Sequence, residues 1–266
     1  MDPNITIVTA FFNLGRGEDP RLMQWQRRPV EHYLYFFDIL ASIKNDMVIY
    51  TQSDLVDVIT TIRKNHGNGN TTKVIVYNEF DKYKDILVDM ERVMALDSFK
   101  ADILDTQLVQ YWSAPYNLVN YLKSKFVSLA IEGGHVKNDQ AAWIDFGYCR
   151  KPDTIPPSKL WNCNLSKDKI HLFHIDDLDN KMPIEQQIKT NQVNVQGCHI
   201  VAGNNMWPVL HNMVMEEVRV LLQQDLIDQD QTILELCYYK HPELFELHWV
   251  DKSDWFIIFK KFNELA

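Results

Sequence analysis

Apolar residues in this chain gather into short dense runs separated by amphipathic stretches. Ile5 to Phe12, Met47 to Thr51, Lys73 to Tyr77 and Ala141 to Phe146 are short, apolar and rich in β-branched or aromatic residues, as buried strands are. Between the first two, Pro29 to Leu40 carries a helix-like apolar face. Ser53 opens a further helix in which Val56, Ile59 and Ile62 return at helical spacing. Tyr116 to Ala130 reads as one long helix or two short ones feeding the Trp143 strand. The strand-helix-strand order predicts an α/β fold with a mostly parallel central sheet flanked by helices. His66 to Thr72, rich in Gly and Asn, reads as a surface turn, and no Pro/Gly/Ser-rich linker or internal repeat divides the 266 residues, so a single domain is expected.

Composition narrows the function classes. A net charge of −9 argues against a general nucleic-acid binder, which needs a concentrated basic face, while a few local Lys and Arg still suffice for a phosphate-bearing ligand. Cys149, Cys163, Cys198 and Cys237 lie far apart without a C-x-x-C pair, which favours free or buried thiols over a disulfide framework or a structural zinc site. The start Met1-Asp2-Pro3-Asn4 passes directly into a strand-like run, and no apolar run approaches the roughly 20 residues of a membrane span. A cytoplasmic protein is expected, with peripheral contact at the inner membrane as the alternative. Trp255-Phe256-Ile257-Ile258-Phe259-Lys260-Lys261-Phe262 suits either such an interface or a core strand followed by a solvated lysine pair.

Two places carry candidate chemistry. Ala141-Ala142-Trp143-Ile144-Asp145-Phe146-Gly147-Tyr148 delivers one carboxylate to the end of a strand, where a Gly lets the backbone turn. In α/β folds ligands gather at such ends, so Asp145 reads as a metal or ligand contact, against a simple turn-forming Asp. Leu226-Ile227-Asp228-Gln229-Asp230-Gln231 precedes a helical apolar pattern, which places Asp228 or Asp230 at a helix N-terminus. At the end of the first strand, Thr9, Phe11 and Asn13 are placed to face a nucleotide, and Arg16, between Gly15 and Gly17, offers a donor fork to phosphate. Neither G-x-G-x-x-G nor a Walker phosphate loop is present.

Ile5-Thr6-Ile7-Val8-Thr9-Ala10-Phe11-Phe12-Asn13-Leu14-Gly15-Arg16-Gly17, Trp143-Ile144-Asp145-Phe146-Gly147, and Asp230-Gln231 with His241-Pro242-Glu243-Leu244-Phe245 downstream resemble the HtrL/YibB family, in order along nearly the whole chain. That family occurs among bacterial lipopolysaccharide and surface-polysaccharide genes, and its pattern is similar to GT-A glycosyltransferases. The resemblance implies a GT-A-like fold with a nucleotide-binding part over residues 1–150 and an acceptor-side part over residues 151–266. It further implies a nucleotide-sugar donor, most simply a UDP-sugar, and a glycan or lipid-linked glycan acceptor. The alternative is a catalytically silent sugar- or nucleotide-binding partner of a polysaccharide assembly complex, and a glycoside hydrolase with two opposed carboxylates is a third reading.

The same resemblance implies roles for individual residues. Asp145, beside Gly147 in the donor site, stands where GT-A enzymes place an Asp-x-Asp that binds Mn²⁺ or Mg²⁺, here with only the first carboxylate, and His248 is the candidate late ligand. Lys125 is the candidate helix cation near the diphosphate. Asp230, with Asp228 second, is the candidate base for the acceptor hydroxyl. Gln196 to Trp207 resembles the loop over donor sugar and acceptor, with Gly203 permitting close approach, Asn204 binding hydroxyls and Trp207 either stacking on the sugar or anchoring the core.

Overall fold

The computed structural model describes residues 3–178 and 182–264. Strands Thr6–Phe11 (β1), Met47–Thr51 (β2), Thr72–Val76 (β3), Gln140–Ile144 (β4), Ile170–His174 (β5), Val195–Gly203 (β6) and Phe245–Trp249 (β7) form one sheet in the order β3-β2-β1-β4-β6-β5-β7. The helices are Val30–Leu40 (α1), Val56–Asn65 (α2), Lys84–Ala95 (α3), Asp97–Lys100 (α4), Ala114–Tyr121 (α5), Lys123–Glu132 (α6), Ile184–Thr190 (α7), Met206–Gln223 (α8), Asp230–Lys240 (α9) and Ile258–Lys261 (α10). The fold is α/β, with helices on both faces of a mostly parallel sheet in which β6 alone runs antiparallel to its neighbours β4 and β5.

Strand periodicity distributes the core. Val8 and Ala10 of β1 point to one face, where they meet Phe126 of α6, Leu210 of α8 and Ile233 of α9. Ile7 and Phe11 point to the other, where they meet Phe37 of α1, Ile59 of α2 and Phe259 of α10. Both faces are covered, so β1, β2 and β4 read as continuous apolar runs rather than alternating ones.

The stretch expected as a loop over the donor sugar is instead β6 followed by the first turn of α8. Because β6 is antiparallel to β4, Gly203 pairs with Gln140 at the start of β4, whereas His199 pairs with Ile144 at its end. Gly203, Asn204 and Trp207 therefore sit at the opposite end of the sheet from Asp145. Gly203 is required by packing, since a Cβ there would fall 2.0 Å from the Lys167 carbonyl oxygen. Asn204 Nδ2 donates to the Asn138 carbonyl at 2.7 Å. Trp207 is fully buried and donates through Nε1 to the Ala202 carbonyl at 3.3 Å, which makes it the core anchor.

The C-terminal segment also departs from expectation. In place of a strand it forms a 3-10 turn over Lys252–Asp254 and then α10, with Ile258 and Phe259 fully buried and Lys260 and Lys261 exposed. Tyr148 explains the turn, because its hydroxyl accepts the Ile258 backbone N–H at 3.2 Å and ties the segment back to β4.

Arg63 of α2 is fully buried and clamps the α1–β2 connection. Its guanidinium donates to the carbonyls of Ala41 at 2.9 Å, Ile43 at 2.7 Å and Asn45 at 3.1 Å, and to Thr72 Oγ1 at 2.6 Å. Burial lowers its pKa to about 10, which leaves it charged at neutral pH. Arg63→Met keeps the apolar stem and removes the fork, so several buried carbonyls lose a charged donor; the expected cost is about 3 kcal/mol in urea unfolding. A loss under about 1 kcal/mol, the worth of one neutral hydrogen bond, would contradict the clamp.

Candidate functional site

The carboxyl ends of β1 and β4 open into a cleft of about 280 Å³. This is where an open α/β sheet presents its ligand crevice. The cleft is walled by the chain leaving β1 (Asn13, Arg16), the turn after β4 (Asp145 to Arg150), the start of β6 (Gly197, Cys198), the N-terminus of α9 (Gln229 to Gln231) and Trp255 with Phe256.

Its floor is an ion-pair cluster in which Asp145 and Asp230 meet Lys123, the member that the sequence reading missed. Lys123, the first residue of α6, has a side chain only 6 % exposed, and its Nζ lies 3.0 Å from Asp145 Oδ1 and 2.8 Å from Asp230 Oδ2. The same ammonium donates to the Gly197 carbonyl at 2.8 Å. Burial works against the Lys123 charge, but the carboxylates of Asp145 and Asp230 more than offset it, so the group stays an ammonium. Asp145 Oδ1 also accepts the indole N–H of Trp143 at 2.7 Å, while the side chain keeps 37 % of its surface open to the cleft. Asp230 is the opening residue of α9 and sits against Gly197, where a Cβ would fall 2.4 Å from its Oδ2. Burial raises the Asp230 pKa, opposed by Lys123.

Above this floor the cleft is aromatic and basic. Phe11 stacks on Phe146 at 4.9 Å between centroids and tilts against Tyr33 at 4.7 Å. Arg16 Nη1 donates to the Tyr33 hydroxyl at 3.1 Å, and its guanidinium lies over the Tyr116 ring at 5.2 Å. Arg28 and Arg150 line the same space, with Arg150 over the Phe36 ring at 4.3 Å. Burial, and then the Arg28 charge, lowers the Arg150 pKa. Asn13 accepts the Gly15 N–H at 3.0 Å, a turn that Gly15 allows with φ +74°.

The structure brings Phe11, Asn13, Arg16, Asp145, Gly147 and Asp230 to one cleft. It leaves others out. Thr9 is fully buried beneath Phe11, two residues back on the same face of β1, and does not line the cleft. Lys125 follows Lys123 by two residues, about 200° around a helix, so the two cannot face the same site, and Lys125 lies outside the lining. Asp228 is buried behind the cleft wall, where its Oδ2 accepts from Thr232 Oγ1 at 2.6 Å. His248 lies on β7, which β6 and β5 separate from β4, and pairs with His171 at 2.9 Å instead of approaching Asp145.

The cleft gives a divalent ion a poor seat. Asp145 and Asp230 are the carboxylates among its described lining residues, and both are held by Lys123. A hard cation needs oxygen donors, and here it would stand beside a fixed ammonium. The residues do not fit Mn²⁺ or Mg²⁺ at Asp145.

The profile of a family described as "Bacterial protein of unknown function (HtrL_YibB)" matches residues 3–264. Protein HtrL of Escherichia coli (strain K12) is 34 % identical over 271 residues, covering 99 % of this chain and 94 % of that one. The chain belongs to the HtrL/YibB family. Among solved structures, mouse xyloside xylosyltransferase 1 in its apo form is similar over 92 % of this chain and 84 % of that one, at 11 % identity and a TM-score of 0.44. The WbbM bifunctional glycosyltransferase in its apo form is similar over 94 % of this chain and 39 % of that one, at 14 % identity and a TM-score of 0.40. At such scores the likeness is loose, and the chemistry of this HtrL/YibB member is read from its own cleft.

Asp228 makes the region behind the cleft pH-sensitive. Burial pushes its carboxyl up to about 7, and Oδ1 has no hydrogen-bond partner. The folded state favours the protonated form, so this contribution to stability is complete below the ordinary carboxyl range and is lost as pH rises through about 7. Asp228→Asn, neutral at every pH, should flatten that decline relative to the parent, by at most about 4 kcal/mol at about 1.36 kcal/mol per pKa unit. Urea unfolding of both proteins across this range checks it; parallel pH profiles would refute the assignment.

Proposed function

We propose that this HtrL/YibB protein is a glycosyltransferase that moves a sugar from a nucleotide-diphosphate sugar, preferentially a UDP-sugar, to a bacterial surface glycan such as lipopolysaccharide or capsule. The observation that carries the reading is the composition of one cleft: aromatic rings, three arginines and a buried carboxylate meet at the carboxyl ends of β1 and β4. Phe11 and Tyr33 offer π-faces and Asn13 a hydrogen-bonding amide to the base and ribose. Arg16, Arg28 and Arg150 offer donor forks to the diphosphate.

Asp230 takes the proton of the acceptor hydroxyl as its oxygen attacks the anomeric carbon. The bond from that carbon to the diphosphate oxygen breaks, and the nucleoside diphosphate leaves with the bonding pair, its charge met by the guanidinium groups. Lys123 fixes the Asp230 carboxylate, and the raised pKa that burial gives Asp230 suits it to accept a proton. In this reading the arginines and Lys123 supply the positive charge that a metal would otherwise bring, so donor binding does not depend on Mn²⁺ or Mg²⁺. A glycosidase would place the scissile bond between its two carboxylates; between Asp145 and Asp230 stands Lys123 Nζ.

The acceptor class follows the family's occurrence among surface-polysaccharide genes, with a glycan or lipid-linked glycan as the form expected. No described helix is long and apolar enough to cross a membrane. Trp255 and Phe256, the aromatic residues once open to a membrane role, line the cleft. We place the protein in the cytoplasm, where nucleotide sugars are made.

One observation favours the silent-partner alternative: both cleft carboxylates are engaged by Lys123. Nucleotide release from a panel of nucleotide sugars, with surface-glycan fragments as acceptors, separates the two. Turnover is expected in excess chelator as well as in Mn²⁺. Asp230→Asn should lower turnover by at least about 10²-fold, the usual worth of a positioned base, with donor affinity kept. Donor binding without turnover would replace the transferase with the silent binder, and no thermal response to any nucleotide sugar would remove both.

A further inference from the structure

On the far edge of the sheet, three metal-ligating side chains that the cleft does not use converge. The parallel pair of β5 and β7 sets His171 opposite Glu246 and Phe173 opposite His248, so His171, Glu246 and His248 emerge on one face. His171 Nδ1 lies 2.9 Å from His248 Nε2 and 3.7 Å from Glu246 Oε2, and His248 Nε2 lies 4.0 Å from Glu246 Oε1. We infer that His171, His248 and Glu246 form a binding site for a divalent transition metal, Zn²⁺ by preference.

The separations suit the ion. Ligand atoms at 2.0–2.1 Å around a tetrahedral Zn²⁺ stand about 3.4 Å from one another, and the three pairs here bracket that value. The second shell is in place. His171 is fully buried, and its Nε2 donates to the Ser166 carbonyl at 2.7 Å, which leaves Nδ1 as the lone-pair nitrogen facing His248 and Glu246. A carbonyl behind a ligating imidazole is the usual device that sets tautomer and ring orientation. Without metal, the His248 Nε2 proton bridges to His171 Nδ1; on binding it moves to Nδ1 of His248, and both nitrogens turn their lone pairs to the ion. Glu246 is half-exposed, so the fourth position opens to solvent and takes water or an exogenous ligand.

Two imidazoles with one carboxylate choose a borderline metal over Mg²⁺ or Ca²⁺. The consequence is mechanical. β7 is an edge strand paired to β5 alone, and the chain leaving it supplies Trp255 and Phe256 to the cleft wall. A metal bridging β5 and β7 pins that strand from outside its hydrogen-bond ladder.

The test uses the full chain stripped with chelator and titrated with Co²⁺, then with Zn²⁺. The parent should take up a single equivalent of Co²⁺ with the strong visible bands of four-coordinate cobalt, Zn²⁺ should erase them, and Zn²⁺ should raise the melting temperature by several degrees. His248→Ala should abolish the bands. Glu246→Ala, a change at an exposed side chain that leaves the fold intact, should weaken binding by at least about tenfold. No saturable uptake by the parent, or the same bands and affinity in both variants, overturns the site whatever the fate of the transferase reading.

Discussion

The ammonium of Lys123 holds together four elements that are distant in sequence. It starts α6, touches the carboxylate after β4, accepts a place beside the Gly197 carbonyl of β6, and grips the first residue of α9. A buried cation is costly unless every proton finds a partner, and the three oxygen partners answer the three N–H groups of a lysine. The same arrangement places one carboxylate open to the cleft and one against its floor. Site geometry and fold stability thus depend on a single set of contacts.

The antiparallel insertion of β6 makes this possible. A parallel strand there would bring its carboxyl end, Gly203, beside Asp145; running the other way, β6 brings Gly197, whose missing side chain leaves room for Asp230. The cleft is therefore built where strand ends and one reversed strand start meet, and Phe11, Arg16 and Arg150 are gathered around it by β1 and by the turn after β4. Between the two carboxylates stands the ammonium of Lys123. The imidazole pair on the far edge is chemically separate, with softer donors and Glu246 as its carboxylate.

Legibility in the sequence followed burial. β1, β2, β3 and β4 were readable as strands because they are short, apolar and rich in β-branched or aromatic residues, and β1, β2 and β4 are buried on both faces. β5 and β7, with sequences IHLFH and FELHW, carry histidines and a glutamate and gave no such run. β6 was hidden by Gly197 and Gly203, which suggest a loop until the close approaches of Asp230 and Lys167 explain them. Asp145 and Asp230 were visible because a strand end and a helix start are places where a carboxylate has a physical reason to be. Lys123 was passed over in favour of Lys125, although a signal existed: with residues 116–130 read as one helix, it falls midway between Val119 and Val127 on an apolar stripe, where an unpaired cation cannot rest. Arg28 and Arg150 carry no such mark, since only the folded turns bring them to the cleft.

The dependence on Lys123 is tested most directly by a double-mutant cycle with Lys123→Met and Asp230→Asn, read by urea unfolding. Lys123→Met leaves the buried Asp230 carboxylate without its partner and should cost about 3–5 kcal/mol, whereas Asp230→Asn leaves the ammonium with Asp145 alone and should cost less. The double variant buries no unpaired charge at this contact and should be more stable than the sum of the single losses by at least about 1 kcal/mol, the coupling expected of residues in direct contact. Additive losses would mean that Lys123 and Asp230 are held in place independently, and the account of the cleft floor as one electrostatic unit would be wrong.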